Sequence, residues 1–324
     1  MLKTGQHRGH AALWLENKSL RVGILPQKGA DIFEIFHRPS GIQLLIEMPG
    51  GLKAPGGGPQ GEFLDNYEGG WQELFPNHGD ACEYRGQSLP MHGEAALLPW
   101  EVQVLEDNET ETCVHLQVRC RKTPFLLERT MRLRAGSARL EILGKVTNES
   151  DTACDFVWGQ HVTLGEAFLD GESRLDVCAR TIETPDVIYE PATARLAAGQ
   201  TSPWPEALDR KGGKINLASI PGREAHSHDD AFLTGLEHGH YTVSSPRRGL
   251  SFSLDWDEAV FPWIVFWQPY GGADLEPLTG MYGAGIEPWV SRYPLAEAVE
   301  KGQALRLEGW ASLETRLVAS VQSL

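Results

Sequence analysis

Apolar and polar residues alternate in short runs along most of the chain, the period-of-two pattern of strands covered on one face. Residues 116–119 (LQVR) and 139–142 (RLEI) are clear examples. Runs at 11–16, 19–25, 30–37 and 42–46 predict an opening series of strands, punctuated by Asn17-Lys18 and Pro39-Ser40-Gly41. A second series follows at 101–106, 112–120, 125–133 and 138–146, with turn residues at 108–109, 135–137 and 148–150. Helical periodicity is scarce, and only residues 295–302 offer a short helical turn. The pattern predicts an all-β protein. No internal repeat and no linker interrupts it, so residues 1–324 are expected to form one domain.

Two stretches break the rhythm. Residues 49–62 (PGGLKAPGGGPQGE) are rich in Gly and Pro and predict a long loop beside the functional site. No Gly-Lys-Ser/Thr follows these glycines, so it is not a phosphate loop. Residues 184–221 carry Pro185, Pro191, Pro203, Pro205 and Pro221 and read as an irregular excursion across the surface.

Composition narrows the partners. Acidic residues number 44 against 29 basic ones, for a net charge of −15. That balance disfavours nucleic acid and anionic membranes, which attract Lys/Arg-rich surfaces. A neutral small molecule is unaffected by it. No run approaches the ~18 apolar residues of a membrane helix. Five cysteines, an odd number with no C-x-x-C, suit reduced thiols. Residues 1–8 lead into no apolar signal core, so the expected location is the cytoplasm.

Four segments carry candidate chemistry. Residues 71–79 (WQELFPNHG) and 90–94 (PMHGE) gather Trp71, Asn77, His78 and His92 in a turn-rich region. Aromatic faces with a few placed polar groups are what a small-ligand pocket needs. Residues 156–163 (FVWGQHVT) end an apolar run on Trp158 and His161, and a His can give or take a proton near neutral pH. Residues 283–289 (GAGIEPW) set Glu287 among apolar neighbours, where desolvation raises a carboxyl pKa toward the range of a base. Residues 226–240 hold four His and two Asp, including Asp229; alternation would put His226 and His228 on one strand face. That cluster invites a metal reading. Without H-E-x-x-H or a cysteine pair, the expectation is no metal and no cofactor.

Taken in order along the chain, these segments resemble the galactose mutarotase (aldose 1-epimerase) superfamily. The opening at 17–41, Phe75-Pro76-Asn77 with His92-Gly93, Gln160-His161, Asp229-Asp230-Ala231-Phe232, Gly285-Ile286-Glu287-Pro288 and the turn at Gly302-Gln303 carry the likeness over nearly the whole chain. The resemblance implies a large antiparallel β-sandwich and a carbohydrate substrate. It also implies His161 as general acid toward the ring oxygen and Glu287 as general base toward the anomeric hydroxyl. His92, Asn77 and Asp229 would bind the sugar; on the residues' own chemistry, Trp71 and Trp158 are candidates to stack on it. Members often carry an Arg where His78 stands here, so His78 or nearby Arg85 would take its place. Oligomeric state is not legible.

Other readings remain open at this point. A lyase or hydrolase on the same fold would pair Glu287 with Asp229, Glu73 or Glu94. A non-enzymatic sugar-binding protein would use only the stacking residues. A phosphorylated sugar would call for converging basic residues, for which Arg247-Arg248 is an adjacent pair.

Overall fold

The computed structural model describes residues 1–48, 50–52 and 63–324. Most of the stretch expected to loop at 49–62 therefore lies outside the described residues. The predicted strands of the middle of the chain form at Glu101–Asp107, Glu111–Arg119, Phe125–Arg134 and Arg139–Asn148. Within Phe125–Arg134, residues 125–133 switch between buried and half-buried at every position, as the alternation predicts. Leu295–Glu300 forms a short α-helix. An opening strand at Leu2–His7, not expected from the pattern, pairs with His10–Glu16.

Among the described residues, twelve strands make a large sheet and eight make a second. The ladders are antiparallel. One cluster of buried apolar side chains draws on both sheets. A buried polar network also crosses between them. The Glu73 carboxylate, on the large sheet, accepts from Trp158 Nε1 and Gln160 Nε2 and pairs with Arg129 of the smaller sheet at 3.2 Å. Trp71 Nε1 donates to Gln160 Oε1. Breaking such a buried pair by removing one partner costs about 3–5 kcal/mol. No helix among the described residues is long and apolar enough to cross a membrane.

The site lies near the middle of the large sheet, where Gly159–Gly165, Gly283–Trp289, Trp263–Tyr270 and Ser227–Thr234 run side by side. Register decides which side chains meet. Gly159 pairs with Trp289 and Thr163 with Gly285, so His161 stands opposite Glu287. Glu287 pairs with Val265, and Val265 with Phe232. One row therefore runs His161, Glu287, Val265, Phe232. The neighbouring row runs Thr163, Gly285, Trp267, Asp230. Successive residues of a strand point to opposite faces, so residues two apart share one.

Candidate active site

A cavity of about 380 Å³ opens over these two rows, within the ~300–1,000 Å³ usual for small-molecule sites. Its aromatic walls include Phe63, Tyr67, Phe232 and Trp267. His161 and Glu287 are both almost fully buried, and His161 Nε2 lies 3.5 Å from Glu287 Oε1. That gap is too long for a good hydrogen bond.

Each member of the pair is held from behind. Trp289 Nε1 donates to Glu287 Oε2 at 3.0 Å, whereas Oε1 is buried without a hydrogen-bond partner. Small residues make this possible. A Cβ on Gly159 would stand 2.1 Å from the Trp289 ring, and one on Gly285 would stand 2.5 Å from Glu287 Oε1. The Tyr67 hydroxyl donates to Thr163 Oγ1, which lies 3.4 Å from His161 Nδ1.

Burial dominates the electrostatics. It raises the Glu287 pKa well above the ordinary carboxyl value; the Trp289 hydrogen bond opposes the shift and the charge of Asp230 adds to it. It lowers His161 well below 6.5, helped by His92. His92 itself is drawn down to about 4 by burial. The Gly79 N–H donates to His92 Nδ1, so the His92 proton sits on Nε2. His78 is lowered well below 6.5 by burial and by the two neighbouring imidazoles, and its Nδ1 has no partner. Its ring packs edge-on to Trp289, with centroids 4.1 Å apart. Together these groups offer a facing donor and acceptor in an aromatic-walled cavity, the requirement for concerted proton transfer to a small ligand.

Residues 7–321 match the family model described as "Domain of unknown function (DUF4432)". The chain belongs to the DUF4432 family. No curated protein matches the DUF4432 chain by sequence. Solved structures match it by fold. A Klebsiella pneumoniae protein provisionally named an aldose 1-epimerase superposes with a TM-score of 0.75 at 17% identity, covering 99% of this chain and 82% of that one. A protein from Synechocystis sp. PCC 6803 gives 0.69 at 18% identity, covering 99% of both chains. A galactose mutarotase-like protein from Clostridium acetobutylicum gives 0.67 at 13% identity, covering 100% and 99%. The DUF4432 chain thus has the galactose mutarotase-like β-sandwich fold.

Of the residues singled out from the sequence, His161, Glu287, His78 and His92 converge on the cavity of the DUF4432 chain. The others are placed differently. Trp71 and Trp158 are fully buried in the polar network between the sheets and do not line the cavity. Asn77 is used structurally. It donates to the carbonyls of Asp80 and Pro90 and accepts from Leu295 N, bracing the loop that carries His78 and His92. Asp229 points to the opposite face of its strand, accepting from the backbone N–H groups of Arg195 and Leu196 and pairing with Arg195 Nε at 2.7 Å. Its neighbour Asp230 faces the cavity instead.

Other expectations are also corrected by position. Glu73 sits in the inter-sheet network, and Glu94 accepts from Arg121 N and Lys122 N. Neither lines the cavity. Arg85 binds Asp155 and the Ala153 carbonyl outside it, and Arg247 pairs with exposed Glu172. The cavity's arginine is Arg292, five residues beyond Glu287, paired with Glu183 at 3.0 Å and lying over the Phe232 ring. The histidines of 226–240 divide between the sheets. His226 precedes the strand Ser227–Thr234 in a left-handed conformation and bonds the Gly271 carbonyl, so it does not share a strand face with His228. His240 pairs with Asp255 on the smaller sheet. His228 lines the cavity; its Nδ1 meets Glu190 Oε2 at 2.7 Å, and its Nε2 accepts from Trp267 Nε1.

The excursion at 184–221 is more than surface, since Pro185, Tyr189 and Glu190 form part of the cavity wall. Trp267 and Tyr67 were not singled out from the sequence. A signal for Trp267 does exist: Trp263, Val265 and Trp267 alternate within an apolar run.

Proposed function

We propose that the DUF4432 chain interconverts the α and β anomers of an aldose by acid–base catalysis. The observation that carries this reading is the His161–Glu287 pair. Its two atoms face each other at 3.5 Å, Glu287 Oε1 has no hydrogen-bond partner, and both residues line the cavity. Burial favours the uncharged forms of both groups, so the pair holds one proton, resting on Glu287. Anomer exchange needs one such proton, because one group must donate while the other accepts.

In the direction the resemblance implies, the shared proton first passes from Glu287 to His161; His161 then donates it to the ring oxygen as the Glu287 carboxylate takes the proton from the anomeric hydroxyl. The bond between C1 and the ring oxygen breaks, and the aldehyde forms. Rotation about the C1–C2 bond presents the other carbonyl face, and the reverse transfers close the ring. The pair ends with the proton count it began with. The Nε2–H of His92 would donate to a ring or anomeric oxygen. The fold shared with mutarotase-like proteins is consistent with this chemistry, although fold does not fix function.

Polarimetry of freshly dissolved α-aldoses tests the proposal. The protein should speed the approach to the equilibrium rotation for at least one aldose. Glu287→Gln should lower kcat/KM by about 10²–10⁴-fold, the usual contribution of a general base. Equal rates for the two proteins would contradict it.

A further inference from the structure

The charge lining the cavity is one-sided. Asp80, Glu190, Asp230, Glu276 and Glu287 border it, and among the described residues its basic side chains are Arg292 and the imidazoles. Glu183 already offsets Arg292 at 3.0 Å. Burial holds His78, His92 and His161 uncharged.

The carboxylates are not equivalent. Asp229 is neutralised by Arg195, and Glu190 is hydrogen-bonded to His228. Asp80 and Glu276 lie at the exposed rim. Asp230 is different. Among the described residues its carboxylate has neither a hydrogen-bond partner nor an Arg or Lys partner; burial and the charges of Asp229 and Glu190 raise its pKa, and the charge of His228 opposes them. It stands beside Trp267 in the second cross-strand row. Asp230 is half-buried, and a partly desolvated carboxylate with no hydrogen-bond donor and no Arg or Lys beside it is costly. A hydroxyl would satisfy its hydrogen bonding but leave the charge. An ammonium satisfies both, and the aromatic faces of Trp267 and Tyr67 also favour a cation. An anionic substituent would meet like charge, which is a device for exclusion.

We propose that the cavity selects an aldose bearing a free amino group, and that Asp230 is the carboxylate that receives its ammonium. This deepens the anomer-exchange reading and rests on it for the identity of the reaction, but not for the charge preference.

The test compares glucosamine with glucose and galactosamine with galactose, at a pH where the amine is protonated. N-acetyl forms and hexuronates serve as controls. Anomer-exchange rates should give a kcat/KM for one amino sugar about tenfold or more above its parent, as expected for an added charged contact of ~1.5 kcal/mol or more. N-acetylation should abolish the advantage, and hexuronates should be the poorest substrates. Asp230→Asn should bring the ratio of amino sugar to parent close to one, and Asp230→Glu should restore part of it; thermal melts of both variants establish that they fold. Parity between amino sugar and parent, a preference for hexuronates, or an unchanged ratio in Asp230→Asn would overturn the proposal. If no sugar is exchanged, the anomerase reading fails, and ligand-observed NMR binding with the same panel still decides the inference. An amino-sugar preference lost in Asp230→Asn would support it, and no preference would end it.

Discussion

Glu287 is a carboxyl group with one oxygen tied and one left open. The tie is the indole of Trp289, which stabilises the charged form and so restrains the upward shift that burial imposes. This sets a pH signature. The reacting state carries one proton on the pair. Protonation of His161 ends that state on the acid side, well below the ordinary imidazole value of 6.5. Loss of the remaining proton ends it on the alkaline side, well above the ordinary carboxyl value of 4.5. The expected kcat/KM profile is a bell. Trp289→Phe removes a hydrogen bond to the charged carboxylate, so the Glu287 pKa rises and the alkaline limb moves to higher pH. The loosened carboxyl should also lower kcat by about ten- to hundredfold, since small misplacements are costly. A lower kcat with an unmoved alkaline limb would show that Trp289 acts by packing alone. At this scale the sequence identified His161 and Glu287 as chemical types in apolar surroundings. Their facing one another is a matter of register across two strands far apart in the chain, which no local pattern encodes.

The strand Ser227–Thr234 shows what alternation can and cannot tell. Its apolar and polar residues mark a strand, but a period of two leaves open which face looks into a cavity. Asp229 and Asp230 are adjacent, and the choice between them reverses with the face. Asp229 anchors residues 195–196 through three hydrogen bonds to its carboxylate, two of them from backbone N–H groups. Asp229→Asn should therefore lower stability by about 2–3 kcal/mol, below the ~3–5 of a wholly buried pair because Arg195 stays partly solvated. Urea unfolding measures it. A normal midpoint with a specific loss of ligand affinity would instead return Asp229 to the binding site. The tryptophans follow the same logic. Trp71 and Trp158 were legible as aromatic residues near polar ones, and they proved to donate into the network between the sheets. Trp267, in a run of apolar residues that reads as plain core, is the one that reaches the cavity.

Across the whole molecule, the ordered set of weak motifs pointed to the sandwich, because fold depends on many consistent elements and tolerates error in any one. The wall contributed by Pro185, Tyr189 and Glu190 was hidden, since an irregular segment carries no periodicity to say where it packs. Both sheets share one apolar cluster, and the Glu73–Arg129 pair joins them. We propose that residues 1–324 unfold as one cooperative unit. Tryptophan fluorescence and far-ultraviolet circular dichroism should then give coincident urea transitions. Two separated transitions would mean that the sheets are independently stable.

The most direct test of the account is α/β exchange of free aldoses by saturation-transfer NMR, with the wild-type protein and with Glu287→Gln. The account predicts enhanced exchange for at least one aldose, lost in the variant while binding of that sugar persists. Enhanced exchange that survives Glu287→Gln, or none for any sugar that the folded protein binds, would contradict it.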